Sequence, residues 1–237
     1  MPRTQEEFDK WFSEAGDPWH YDGAFVIDRL RNSLSFIQRY IAPGFEGAFV
    51  EIGAFNGAFS SLLAEAFPTS LIIANDISEV AIQQARQATA KHRNILFDRS
   101  DMASFRTPEA VHGRERVLLL MESLYYLHHE ERADAIRHLL ATVRPTMAFV
   151  SGPIQGDRYF TENELIKQFE INEFFCSGIS VLNTSDEFRS LPQSQQDPKS
   201  LKKAAVRRKY GRQVMYRFCP GVWNGIRTRL AKAFGRW

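Results

Sequence analysis

Four carboxylates, Glu51, Asp76, Asp101 and Glu122, occur in order along the first half of the chain, and each stands at or just beyond the end of a short apolar run. A carboxylate at the end of a strand can accept both hydroxyls of a ribose, which suits Asp76, 25 positions after Glu51. Asp101 is placed to accept from the amino group of an adenine. The turn Glu51-Ile52-Gly53-Ala54-Phe55-Asn56-Gly57 offers two glycines at which backbone can approach a ligand, and it opens a helix whose N-terminus favours a negative group such as a carboxylate. A single glycine turn of this kind is a weak signal. Four acids in order make a nucleoside-bearing ligand the better reading.

Residues for a second reactant lie in the same region. His128 and His129 follow the fourth apolar run and are the best general-base candidates, with an ordinary pKa near neutrality; alternatively they only begin the next helix. Tyr125 and Tyr126 read as pocket walls or as plain core. Asp157 and Arg158, after the fifth run, could grip sugar hydroxyls or could be solvated loop charges. His20, His92, His112 and His138 have no metal-ligand spacing, and two cysteines, Cys176 and Cys219, are too few for a disulfide scaffold or a cysteine zinc site, so no metal is expected.

The elements that must position these groups alternate. Residues 47–53 read as a buried strand, 60–67 as a helix, 71–74 as a second strand, and 79–91 as a helix capped by Ser78. Residues 95–97 make a third strand and 117–121 a fourth. A helix over 130–142 follows, with Ala133, Ile136, Leu139 and Leu140 as its apolar stripe and Pro145 as its stop, and 147–150 make a fifth strand. Beyond these come a helix near 162–169, a strand within 174–182 and a returning strand at 212–218. A helix over 28–41 is expected to lie across the sheet. The pattern predicts an α/β fold with a doubly wound, mostly parallel sheet of seven strands, and in such a sheet ligands bind beyond the carboxyl ends of the strands. We expect a helical lid segment at 1–25, a catalytic domain at 26–218 with a polar and basic insertion at 184–211, and a basic amphipathic helix at 219–237.

The segments FVEIGAFNGAFS, NDIS, RSDM and MESLYYL resemble, in that order, the four donor-site motifs of the class I S-adenosylmethionine-dependent methyltransferases, over roughly residues 26–152. The resemblance implies that the domain at 26–218 is a methyltransferase domain, with S-adenosyl-L-methionine as the methyl donor. It would be held by Glu51, Gly53, Ala54, Phe55, Asn56, Gly57, Asp76, Ile77, Asp101, Met102 and Glu122. Phe55 departs from the pattern, because many members have glycine there; its ring must point away from the donor or line its pocket. DPWHYDG and SLYYL are similar to motifs of the rhizobial nodulation N-methyltransferases, which modify a chito-oligosaccharide amine. That likeness implies a sugar or glycan acceptor, with Tyr125, Tyr126, Asp157 and Arg158 as its contacts. It also implies that Trp19 and Tyr21 close a lid over donor or acceptor; pinning the N-terminal segment to the core is the other reading.

The formal net charge of +2 hides an asymmetry: residues 198–237 hold 12 Lys or Arg and no acid. Between them Val222 or Trp223, Ile226, Leu230, Phe234 and Trp237 recur at helical spacing, the pattern of a helix that lies in a headgroup layer or docks on the acidic body of its own chain. An anionic or lipid-linked glycan, or an anionic membrane surface, fits this arm. The sequence has no run of 18 apolar residues and begins with acids where a secretory signal would be basic, so we expect a cytoplasmic protein, placed by the arm at the inner membrane face. Three other functions compete with this reading. An RNA or protein methyltransferase would use the arm on phosphates, but nucleic acid is the lesser expectation without a nucleobase motif after the fourth strand. A nicotinamide oxidoreductase would need G-x-G-x-x-G, which is absent. A non-catalytic adenosyl-binding module would need only the donor pocket.

Overall fold

A computed structural model describes residues 4–21, 23–153, 161–184 and 211–221. The apolar runs form the centre of one sheet. β1 (Ala48–Ile52) is buried at all five positions, and β2 (Leu71–Asp76), β4 (Arg116–Met121) and β5 (Met147–Pro153) are buried over most of their length, while β3 (Ile95–Arg99) is partly exposed. Strand order is β3-β2-β1-β4-β5-β7-β6. The first five strands in that order pair in parallel, because helical crossovers return the chain to the same sheet end. β7 (Gly211–Pro220) is antiparallel to both β5 and β6 (Phe174–Thr184).

The direction of winding reverses at β1, which has β2 on one side and β4 on the other. The chain therefore leaves β1 and β4 toward opposite faces, and a crevice opens beyond their carboxyl ends. One face is covered by α5 (His129–Val143) and α6 (Glu162–Glu170), through Ile136, Leu139, Leu165 and Phe169. The other is covered by α2 (Ala24–Gln38) and α3 (Ala58–Ala66), through Leu30, Phe36, Ile37 and Leu63. α4 (Glu79–Ala88) joins β2 to β3 and packs against α1 (Gln5–Ala15).

Several boundaries differ from expectation for local reasons. α2 begins at Ala24, four residues early, because Gly23 in extended conformation lets the chain enter the helix directly. α1 is the helix expected in the lid segment, and a capping box between Thr4 and Glu7 starts it. On α5 the buried stripe runs through Arg132, Ala135, Ile136, Leu139, Leu140 and Val143; Ala133, expected there, is only partly buried because it falls beside that stripe. Arg144 then turns the chain in left-handed conformation (φ 49°) before Pro145. β7 runs through Pro220, two residues into the expected C-terminal helix. The rest of that helix, most of the 184–211 insertion, and Asp157 and Arg158 lie outside the described residues.

Candidate functional site

A cavity of about 1060 Å³ lies beyond the carboxyl ends of β1, β2, β3 and β4. Its volume is at the upper end of what ligand pockets offer, enough for a nucleoside-sized donor with a second reactant beside it. Asp76, at the end of β2, forms part of its wall; its Oδ2 accepts from the Phe55 N–H at 2.8 Å and its Oδ1 from the Ser78 N–H at 2.9 Å. Burial pushes the Asp76 carboxyl up to about 6 against those backbone donations. Both oxygens are thus held in place with lone pairs left to accept ribose hydroxyls.

The glycine turn works by two different mechanisms. Gly53 (φ 81°) lines the cavity, and a Cβ there would stand 2.8 Å from the Ser123 Cβ, so glycine is needed for the turn and for the packing of the β4 loop on it. Gly57 (φ 75°) instead faces α4, where a Cβ would stand 3.0 Å from Ala85 and Thr89 side-chain carbons. Its role is helix packing, not the ligand approach expected of it. Asn56 accepts from the Ala58 N–H at 3.2 Å just ahead of α3, and Ala54 is buried. Glu51 does not line the main cavity. Its carboxyl is 1% exposed, accepts from the Ser60 hydroxyl at 2.5 Å, and borders a small inner void; burial pushes it up to about 8. Burial therefore favours its neutral form.

Asp101, Met102 and Ile77, expected to contact the donor, all line the cavity. Asp101 Oδ1 accepts from the Ser104 N–H at 2.7 Å, which folds the loop after β3. Asn75 ties that loop to the glycine turn: its carbonyl accepts from the Gly53 and Ala54 N–H groups, and its side-chain amide donates to Asp98 Oδ2 at 2.8 Å and Ser100 O at 2.9 Å.

At the opposite end Glu122 stands in left-handed conformation (φ 55°), which turns its side chain back under the cavity toward α2. There Arg29 Nη1 lies 4.0 Å from Glu122 Oε2, and Gln213 donates to the same oxygen at 3.2 Å. Burial pushes the Glu122 carboxyl up while Arg29 pulls it down. Among the described residues, Arg29 Nε, Glu122 Oε1 and Ser123 Oγ are buried polar atoms without a hydrogen-bond partner, and all three residues line the cavity. Native proteins rarely leave such atoms unsatisfied. A guanidinium and a carboxylate with free hydrogen-bonding capacity match the zwitterionic methionine end of an adenosyl donor. Sequence reasoning missed Arg29, because a basic residue inside a helix carries no motif; its regular place on the α2 face that meets the sheet was the only signal.

The lid residues converge on this site. Trp19 and Tyr21 line the cavity with Phe8 and Phe12 of α1. Phe55, in left-handed conformation (φ 46°), directs a ring 3% exposed among them, 4.8 Å from Phe12, 4.7 Å from Trp19 and 5.3 Å from Tyr21 between centroids. The residue that departs from the methyltransferase pattern thus joins the donor turn to the lid. Tyr125 and Tyr126 line the cavity with ring centroids 4.7 Å apart, and Tyr126 stands edge-on to Phe8. Burial pushes the Tyr125 hydroxyl up, so it serves as a wall and hydrogen-bonding group and not as a base. His128, the N-cap of α5, lies on the cavity rim. His129 does not line the cavity; its Nδ1 meets Glu164 Oε1 of α6 at 3.1 Å.

This sheet order, with a carboxylate at the end of β2 and a cavity between the loops on either side of β1, is that of the class I S-adenosylmethionine-dependent methyltransferases. The chain belongs to the nodulation protein S (NodS) family, whose model matches residues 6–158. Among curated proteins none matches in sequence. The solved structure of the N-methyltransferase NodS from Bradyrhizobium japonicum WM9 with S-adenosyl-L-homocysteine is 19% identical, with a TM-score of 0.64, over 92% of this chain and 99% of that one. Magnesium protoporphyrin IX methyltransferase from Synechocystis PCC 6803 with bound S-adenosylmethionine is 16% identical, with a TM-score of 0.64, over 91% and 96%. The [4+2]-cyclase SpnF is 14% identical, with a TM-score of 0.62, over 93% and 97%. One sheet thus carries different reactions, and the acceptor must be argued from the site.

Proposed function

We propose that the enzyme methylates an amine of a sugar- or glycan-type acceptor. The observation that carries this reading is the charge of the cavity wall. Asp76, Asp101, Glu122, Glu131 and Asp134 contribute to it against two guanidiniums, Arg29 and Arg99, and Arg99 already meets Glu79. Such a wall attracts a cationic donor and an ammonium-bearing acceptor and disfavours an anionic group at the reaction centre. Membership of a family with a solved N-methyltransferase supports the same reading.

The donor supplies a methyl group activated by the sulfonium. The chain's own residues then have to align the acceptor and keep water out, which can be worth roughly 7–11 kcal/mol. Tyr125, Tyr126 and the lid rings supply apolar walls for that purpose. An acceptor that arrives as an ammonium first gives a proton to solvent. The neutral amine that attacks then needs no strong base, in keeping with a site whose imidazoles among the described residues, His128 and His138, stand on its wall and rim. Asp157 and Arg158, which follow β5 in sequence, are proposed as sugar contacts. Incubation with S-adenosylmethionine and either a partly deacetylated or a fully acetylated chito-oligosaccharide tests the proposal. A methyl gained on the free amine alone is expected; equal methylation of both sugars, or methylation of RNA instead, would overturn it.

The basic part of the C-terminal arm expected at 219–237, which follows Pro220 and carries Arg227, Arg229, Lys232 and Arg236, is proposed to hold the enzyme on an anionic membrane surface at the cytoplasmic side, where a lipid-linked acceptor would be presented. No helix among the described residues is long and apolar enough to cross a membrane. Co-sedimentation with phosphatidylglycerol vesicles but not phosphatidylcholine vesicles, lost on truncation after Pro220, is the expected result.

A further inference from the structure

α1 forms part of the cavity roof. Phe8 and Phe12 face the cavity and pack on Tyr126 and Phe55. The helix is also fastened by polar contacts at one place. Asp9 Oδ1 accepts from the Ser78 hydroxyl at 2.5 Å and from the Val80 N–H at 3.3 Å, and Gln5 Oε1 accepts from Arg99 at 2.9 Å.

The place is informative. Ser78 is the N-cap of α4, accepting from the Ala81 N–H at 3.1 Å, and its own N–H donates to Asp76 at 2.9 Å. The start of α4 therefore holds two carboxylates: Asp76, which faces the ribose position, and Asp9, which belongs to the roof. Its exposed N–H groups and dipole favour both. Partial burial pushes the Asp9 carboxyl up, but the donations from Ser78, Val80 and Gln5 outweigh it and hold the group below the ordinary range. The connection from α1 to the body passes through Gly16 (φ 65°), so the helix is tethered by a turn and closed by these contacts.

We propose that Asp9 is a positioning residue that latches α1 over the bound donor by joining the roof to the same helix start that orients Asp76. The proposal rests on donor binding alone and is independent of the acceptor. A donor held at Asp76 is covered by Phe8, Phe12, Trp19 and Tyr21, and it leaves when that cover lifts. Releasing the latch should therefore speed dissociation while leaving the sheet intact.

The test measures the release rate of S-adenosyl-L-homocysteine by stopped flow, and hydrogen exchange of residues 5–15 with and without that ligand, in the full-length wild type, Asp9→Ala and Asp9→Asn. Loss of hydrogen bonds to a charged acceptor should speed release about tenfold or more in Asp9→Ala and abolish ligand-induced protection of α1, with β1, β2 and β4 still protected. Asp9→Asn, which keeps a neutral acceptor for Ser78, should fall between. Wild-type release rates with unchanged α1 exchange would overturn the proposal. So would protection lost equally from the sheet strands, which would make Asp9 a residue of general stability. A wild type that binds no ligand would overturn the donor site as well as the latch.

Discussion

Arg29 on α2 and Glu122 after β4 face one another at 4.0 Å beneath the donor cavity, each side chain only 10% exposed. The separation is long for an ion pair in this setting, and each partner keeps a polar atom unused, Nε of Arg29 and Oε1 of Glu122. Dehydrated charges are costly unless their remaining lone pairs and protons are satisfied. A pair left part-satisfied at a cavity wall could accept a ligand carrying both charges, and we propose Arg29 for its carboxylate and Glu122 for its ammonium.

Arg29→Ala should therefore have two separable effects. It leaves Glu122 buried without its cation, which costs about 3–5 kcal/mol of stability, and it should weaken S-adenosyl-L-homocysteine binding by more than about tenfold, on the scale of a lost charged hydrogen bond. The double variant Arg29→Met with Glu122→Gln should recover most of the stability and none of the affinity. Adenosine, which lacks the amino-acid end, should bind both variants like the wild type; calorimetry and denaturant unfolding read the two effects.

Asp76 would accept two ribose hydroxyls best as a carboxylate, and burial pushes that carboxyl up to about 6. Donor affinity should then be constant above that pH and fall below it, by up to about tenfold per pH unit as the proton competes. Asp76→Ala should lose more than about tenfold at pH 7 and should remove the pH dependence. An affinity profile that stays flat down to pH 5 in the wild type would refute the ribose assignment.

Glu51 gives the opposite kind of signal, in stability. Its folded value of about 8 lies above its ordinary 4.5, so the folded chain binds more protons than the unfolded chain between those limits. Stability should fall as pH rises through that window, by up to about 1.4 kcal/mol per pH unit. The range from 6 to 8 is the cleanest, because the similar contribution of Asp76 ends near 6. Glu51→Gln, neutral at every pH and able to keep the Ser60 contact, should flatten that part of the profile when unfolding is followed by urea titration.

Much of this site could be read from the chain. Apolar runs ending in acids located β1 to β4, since a strand buried on both faces reads as a continuous apolar run, and the same strand ends carried Asp76 and Asp101 to the cavity. Local pattern did not reveal what depends on side-chain direction. Gly57 packs on Ala85, 28 positions away, and Glu51 turns into the core toward Ser60; neither fact is written in the spacing of the turn. Asp9 and Arg29 reach the site from helices whose own periodicity concerns only which face is buried. Thr4 and Glu7 did spell a capping box for α1.

Phe55 offers a test of how far the lid depends on the donor turn. Glycine at this position would relieve a left-handed backbone that costs a bulky residue about 1–2 kcal/mol, but it would remove a buried ring worth about 3–5 kcal/mol by comparison with Phe-to-Ala changes in cores. The second effect is larger. Phe55→Gly should destabilise the protein by about 1–4 kcal/mol and raise hydrogen exchange in residues 5–21 more than in the sheet. A more stable variant would mean that the strain outweighs the packing.

His128 and His129 separate the amine reading from one that needs a general base. His129 lies outside the cavity wall and meets Glu164, so His129→Ala should leave turnover unchanged and affect only the contact between α5 and α6. His128 stands on the rim at the start of α5, where its backbone N–H donates to Glu131 at 2.9 Å, a bond that alanine would keep. With a free amine as acceptor, His128→Ala should lower kcat by less than about tenfold, because solvent can take the proton. A hydroxyl acceptor would need the base, and its loss would cost on the order of 10²- to 10⁴-fold. Rates of His128→Ala measured on the deacetylated sugar from pH 6 to 9 test this: a large loss that imidazole restores would assign His128 as the base, and a methyl found on oxygen in the product would replace the amine with a hydroxyl.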